Sequence, residues 1–145
     1  MPHERVSYVV FCDQARVENN GKGLYIGAYS GTILVESSFP AFLSSVAIVA
    51  CVRPVKQREQ LRATLHMPGD SKPQTFETEY VSKNPGDSLS WILAISPCVL
   101  RAPGEMTFEL EFEDGSKHKQ KLQVMPASEF KANTWPKPSK SGAKS

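Results

Sequence analysis

No window of this sequence approaches the roughly 20 consecutive apolar residues of a membrane-spanning helix, and none sustains the 3.6-residue apolar period of a long amphipathic helix. Cysteine is sparse: Cys12, Cys51 and Cys98 lie far apart inside apolar runs, without a Cys-x-x-Cys pair. That excludes a disulfide framework and a zinc knuckle. Three buried free thiols acting as small apolar residues are the expectation, in a reducing compartment. Histidine is equally thin, with His3, His66 and His118 scattered and no metal-ligand spacing between them. The opening Met-Pro-His-Glu-Arg carries no apolar signal-peptide core. The expected location is cytoplasmic, with no membrane contact, no metal and no cofactor.

Charge of one sign is also missing from the body of the chain. The formal net charge is +2, but after Pro126 the single acid Glu129 is set against Lys131, Lys137, Lys140 and Lys144. The remainder holds 13 basic and 14 acidic residues. A neutral body excludes a phosphate-tracking nucleic-acid surface on the domain. Residues 1–126 are read as one domain, long enough to bury a sizeable core, and residues 127–145 as a flexible basic Pro/Lys/Ser tail.

What is present is alternation. Leu61, Ala63, Leu65 and Met67 alternate with Arg62, Thr64 and His66, and Phe76, Thr78 and Tyr80 alternate with Glu77 and Glu79. Leu89, Trp91, Leu93 and Ile95 follow on one face, and Met106, Phe108, Leu110 and Phe112 on another. Val46–Val52 is continuously apolar and belongs at the centre of a sheet. Segments 24–35 and 117–124 complete the set, and Phe39–Leu43 reads as a connection with room for one helical turn. Asp114-Gly115 turns the last hairpin, where a register pairing Glu113 with Lys117 and Glu111 with Lys119 matches the charges. Period-two strands separated by short turns predict an all-β fold, an Ig-like or C2-like antiparallel sandwich of about eight strands.

The densest set of local signals lies in Phe11–Tyr29. The main apolar stripe, Val6, Tyr8, Val10 and Cys12, is even-numbered, with Val9 and Phe11 on the other face of a strand expected to be buried on both sides. Ala15 and Val17, by contrast, are odd-numbered, so a bulge or kink is expected near Cys12–Gln14. Asn20-Gly21 supplies a strong hairpin turn. Asp13, Arg16, Glu18 and Lys22 crowd against a buried strand. Either Asp13 and Arg16 form a structural ion pair holding the kink, or Asp13, Arg16 and Glu18 make a small-ligand or metal site. The first is preferred. Gly27–Gly31 contains Ser30 but lacks the Gly-x-Ser-x-Gly elbow, so a hydrolase is the least favoured reading and no catalytic residue is assigned. Asn20, Lys22, Tyr25 and Tyr29 are candidate binding residues, the two tyrosines sharing an outer face if Leu24 and Ile26 point inward. Trp135 in the tail is a second contact candidate.

Cys12-Asp13-x-x-Arg16-x-Glu18-x-Asn20-Gly21-Lys22, followed by Tyr25-Ile26-Gly27-Ala28-Tyr29, resembles a family of small bacterial proteins of unknown function. Phe39-Pro40 and Pro103-Gly104 through Leu110 extend the likeness over most of residues 6–125. The resemblance implies a β-sandwich of bacterial or phage origin and supplies no mechanism. The functional expectation is therefore a non-catalytic module for an unidentified protein partner. Self-association into a homo-oligomer is compatible with it.

Overall fold

The computed structural model describes residues 5–17, 23–84 and 87–129. Eleven strands follow one another: β1 (Val6–Val17), β2 (Gly23–Tyr29), β3 (Thr32–Val35), β4 (Ala41–Leu43), β5 (Val46–Val52), β6 (Arg58–His66), β7 (Gln74–Val81), β8 (Leu89–Ile95), β9 (Cys98–Leu100), β10 (Gly104–Phe112) and β11 (Lys117–Pro126). A 3-10 turn, Ala127–Glu129, ends the described chain. No α-helix occurs among the described residues, and no helix there is long and apolar enough to cross a membrane.

The strands form a four-stranded sheet, β2-β1-β5-β8, a five-stranded sheet, β3-β11-β10-β6-β7, and the short pair β4-β9. The expectation of about eight strands is corrected upward, for two local reasons. Gly31 (φ 113°) breaks the run 24–35, so that β3 leaves β2 and pairs parallel to β11. Such a φ is open to glycine at little cost. Phe39–Leu43 holds no helical turn; its end is β4, paired with the Pro-bracketed β9. The parallel β3–β11 contact makes the second sheet mixed and not wholly antiparallel.

One core lies between the two large sheets. Phe108 of β10 is fully buried, stacked on Trp91 of β8 with centroids 6.1 Å apart and edge-on to Phe11 of β1 at 6.3 Å. Burying such a side chain contributes about 1.5–3 kcal/mol. Around it lie Leu61, Ala63 and Leu65 of β6, Ile48 and Ala50 of β5, and Leu122 and Val124 of β11. Their alternation is what buries one face of each strand.

In the last hairpin Glu111 pairs with Lys117 and Glu109 with Lys119, so the charge-matched register expected from sequence is corrected. Phe112 N–H donates to Ser116 O and Gly115 N–H to Phe112 O, at 2.9 Å each. These bonds close a loop of Glu113-Asp114-Gly115. Backbone closure sets the register, and Glu111 finds its cation across the sheet in Arg62, 3.6 Å away.

Strand β1 holds two irregularities. The extra residue of the bulge sits at Ser7, between the Val6–Val52 and Tyr8–Cys51 pairs, not at Cys12–Gln14. It brings Val6 onto the core side with Val9 and Phe11. The second is a change of face near Asp13. Phe11 and its β2 partner Tyr29 pack into the main core, while the pair Ala15–Tyr25 packs with Cys12 and Val10 on the other side. Regular strands would keep residues four apart on one face. Both strands turn over together, with Gly27 at φ 71°, so the ladder keeps its register.

Partners across a sheet share a face, so the ladders assign the outer face of the four-stranded sheet. Tyr8, Cys51 and Ser90 form one row across it, then Val10, Val49 and Ile92, then Ala28, Cys12, Ala47 and Ala94. None of these positions carries a formal charge. The opposite outer face, on the five-stranded sheet, alternates acids and bases, with Arg58–Glu79 at 3.0 Å and Arg62 near both Glu77 and Glu111.

Candidate functional site

β1 pairs with β5 only as far as Cys12–Ala47, because β5 begins at Val46. From Asp13 to Val17, β1 continues paired to β2 alone, so that the β1–β2 hairpin projects as an arm beyond the sheet. Ser45 Oγ donates to Asp13 O at 2.9 Å and ties the base of the arm to the start of β5.

Asp13 does not bond to Arg16. The expected ion pair is absent, and the Tyr29 hydroxyl donates instead to Asp13 Oδ1 at 2.6 Å. Residues three apart on a strand point to opposite sides, whereas the change of face turns Asp13 toward Tyr29. A Cβ at Gly27 would collide with the Asp13 carboxylate. Gly27 thus serves both the left-handed φ and the approach of Asp13. Burial, and then the Asp13 bond, push the Tyr29 phenol well above its ordinary value.

Tyr25 and Tyr29 consequently face apart, which corrects the shared outer face expected for them. Tyr29 packs against the main core, and Tyr25 lies over the outer cluster with its hydroxyl 3.4 Å from that of Tyr8. The apolar groups left open on the arm are Leu24 and Ile26, 38% and 44% exposed. Their outward exposure reverses the inward orientation on which the shared face was conditioned. Phe42 of β4, 69% exposed, stands three residues before Ser45 and therefore at the same end of the molecule. A cavity of about 300 Å³ at the base of the arm is lined by Asp13, Gln14, Ala15, Arg16, Ser45 and their neighbours. Glu18, Asn20, Lys22 and Trp135 lie outside the described residues.

The other end carries a constellation that sequence reading missed. Arg5 Nη2 donates to Glu59 Oε1 at 2.6 Å and to Tyr80 Oη at 3.1 Å, while Nη1 reaches Asp114 Oδ2 at 2.9 Å. The Tyr80 hydroxyl donates to the same Glu59 oxygen. The guanidinium lies 4.1 Å above the Phe112 ring, and its Nε donates to Arg53 O at 2.9 Å. Glu59 is fully buried, and its Oε2 has no hydrogen-bond partner among the described residues. Burial opposes the Arg5 charge, but the Glu59 bond and charge outweigh it and hold the guanidinium above its usual value. Burial, then the Glu59 bond, raise the Tyr80 phenol. The signal was present: Glu59 is in phase with Leu61, Ala63 and Leu65 on the inward face of β6.

No group of metal-ligating side chains converges among the described residues. His66 is exposed on the outer face of β6, and His118 lies 3.3 Å from Gln120. Burial pushes the thiols of Cys12 and Cys98 up, away from nucleophilic character at neutral pH.

The model of DUF6941, a family of unknown function, matches residues 7–125. The chain belongs to DUF6941. The match begins at Ser7, the bulge residue, and ends within β11, so it covers both large sheets and the arm. No curated protein matches the chain. Among solved structures the chain is similar to the β-glucosidase EmGH1 of Erythrobacter marinus, at 10% identity and a TM-score of 0.40. That alignment covers 83% of this chain and 16% of the glucosidase, a likeness too slight to bear on activity.

Proposed function

We propose that this DUF6941 chain is a non-catalytic, cytoplasmic protein-interaction module on an Ig-like or C2-like sandwich, with its contact surface at the arm end. The observation that carries this is the exposure of Leu24 and Ile26 on the arm, with Phe42, also exposed, three residues before the Ser45 that bonds to the arm's base. Apolar side chains in contact surfaces gain most of their energy from a few anchors. The arm offers them on a paired, pre-organised backbone, which lowers the entropic cost of binding. Asn20 and Lys22 belong to the tip of the same hairpin in sequence. Val55 and Val81, also exposed, are set among Lys56 and Arg58 and form no such group.

The test is site-specific photo-crosslinking in the native host, with the probe at Ile26 and, as a control, at Thr75 on the charged outer face. A discrete crosslinked protein at position 26, lost on Leu24→Asp, is the expected result. Equal capture at both positions, or none at position 26, overturns the reading.

A second reading, a small-ligand site at Asp13 and Arg16, is favoured by the cavity at the base of the arm. A ligand taken there raises the melting temperature by mass action. Thermal-shift screening with nucleotides and divalent cations checks it, and Arg16→Ala would abolish any true shift.

A further inference from the structure

The edge of a sheet is a row of unpaired N–H and C=O groups, and folded proteins guard such edges with charge, proline, bulges or brevity. Among the described residues four strands end the two large sheets, and three of them are guarded. β3 has only 4 residues. β7 carries Glu77 and Glu79, set against Arg62 and Arg58. β2 turns over at Gly27 (φ 71°) and runs out along the arm. The fourth, β8, reads Leu89-Ser90-Trp91-Ile92-Leu93-Ala94-Ile95, without a charge or a proline. It pairs with β5 in one unbroken register, from Val46–Ile95 to Val52–Leu89, and no described strand lies on its other side. Such a strand offers an edge of about 24 Å.

The core is also open along this edge. Leu89, Trp91, Leu93 and Ile95 pack against it yet are only half-buried. Their cross-strand neighbours on β5, in turn Val52, Ala50, Ile48 and Val46, are fully closed off. One more strand beside β8 would cover these four side chains as β8 covers those of β5.

We propose that β8 pairs antiparallel with β8 of a second copy about a two-fold axis at Ile92, joining two four-stranded sheets into one continuous sheet. A second copy is the occupant because β8 is complementary to itself in that register. On the core side Leu89 meets the partner's Ile95, and Trp91 meets the partner's Leu93. On the outer side Ser90 meets the partner's Ala94, and Ile92 meets the partner's Ile92. Every pair joins like faces, as a side-chain period of two requires, and none carries a charge. Asp87, the nearest charge before β8, falls opposite the partner's Pro97 and not against another acid. The near-neutral body leaves two copies without net repulsion. β8 and the arm strand β2 are opposite edges of one sheet, so the proposal stands independently of the arm as a partner surface.

The experiment is sedimentation velocity of the full chain over a concentration series reaching the millimolar range. Wild type is expected to pass from monomer to dimer. Ser90 and Ala94 are exposed, so charges placed there are tolerated by the monomer and act at the interface. Ser90→Lys/Ala94→Lys sets lysine against lysine on both sides of the axis and should weaken the dimer about a hundredfold or more. Ser90→Glu/Ala94→Lys sets glutamate against lysine at the same positions and should stay within about tenfold of wild type. A monomer at every concentration overturns the proposal and leaves the edge to a strand of another protein. A dimer indifferent to both double variants also overturns it, because a different surface then joins the copies. Equal weakening by the two variants overturns the register about Ile92, and the proposal with it.

Discussion

The two large sheets turn opposite surfaces away from their shared core. On the five-stranded sheet every second position of β6, β7, β10 and β11 is polar apart from Val81 and Met125, and Arg58, Arg62 and Lys121 each lie near a carboxylate. On the four-stranded sheet the corresponding positions are tyrosine, valine, alanine, cysteine, serine and isoleucine, without one formal charge. The first is a surface designed for water, where each ion pair contributes little. The second is buried only at its centre, at Cys12, Ala47 and Val49, beneath Tyr25, Val10 and Ile92, and is exposed at Tyr8, Ala28, Ser90 and Ala94. A charged outer face and an uncharged one on the same two-layered body show that inside and outside were assigned strand by strand.

The sharpest way to break this comparison is to place one charge on each face. Val49→Asp should cost about 4 kcal/mol or more, because a carboxylate is buried without a partner, whereas Thr75→Asp should stay within about 0.5 kcal/mol. Urea denaturation of the two variants measures both. An equal, small effect would mean that the uncharged face is open to water.

Charge buried by design gives the next largest effect. Arg5→Ala leaves Glu59 uncompensated and should destabilise by about 3–5 kcal/mol, again read by urea denaturation. The pair Arg5→Met/Glu59→Leu should cost much less than the two single changes together, since both partners are removed at once.

At the arm, Tyr29→Phe removes the bond to Asp13 and should cost about 1.5 kcal/mol, while Tyr25→Phe, losing only the long contact with Tyr8, should cost less than about 0.5 kcal/mol. Thermal unfolding distinguishes them. Equal losses would contradict the change of face at Asp13.

On the charged face, Arg62→Ala should cost less than about 1 kcal/mol, and less still in high salt. The smallest effect is acidic. The bonds from Ser116, and then the charge and bond of Arg5, hold the Asp114 carboxyl below its ordinary value. A depressed carboxylate stabilises the fold above its unfolded-state pKa, and that contribution is lost as pH falls through the folded one. Asp114→Asn should therefore lower stability slightly at neutral pH and flatten the profile on the acid side of the ordinary aspartate range, where wild type and variant converge; urea denaturation across pH checks it.

Much of the fold could be read from the chain because period-two alternation is local. The inward stripes of β6, β8 and β10 needed only neighbouring residues to be seen. The missed pieces are long-range. β3 and β4 are too short to show a period, and β3 owes its place to a parallel partner about 90 residues away in sequence. Of the candidate site, the kink at Asp13 was legible from the parity of Ala15 against Cys12. Its chemistry was not, because the partner of Asp13 is Tyr29, across a hairpin whose faces turn over at Gly27. Arg5 and Glu59 are 54 positions apart, and nothing near either residue announces the other.

The sequence by itself determined that this chain forms strands, which side of most of them is apolar, where the turns fall, and that β5 must be buried on both faces. Those are properties of consecutive residues and of a backbone with a two-residue side-chain period. Only the tertiary structure decided that Tyr25 and Tyr29 part company, that Glu59 shares a buried site with Arg5 and Tyr80, and that one outer face carries no formal charge across its rows. Each of these depends on registers between strands distant in the chain, and register is chosen by the packing of the whole.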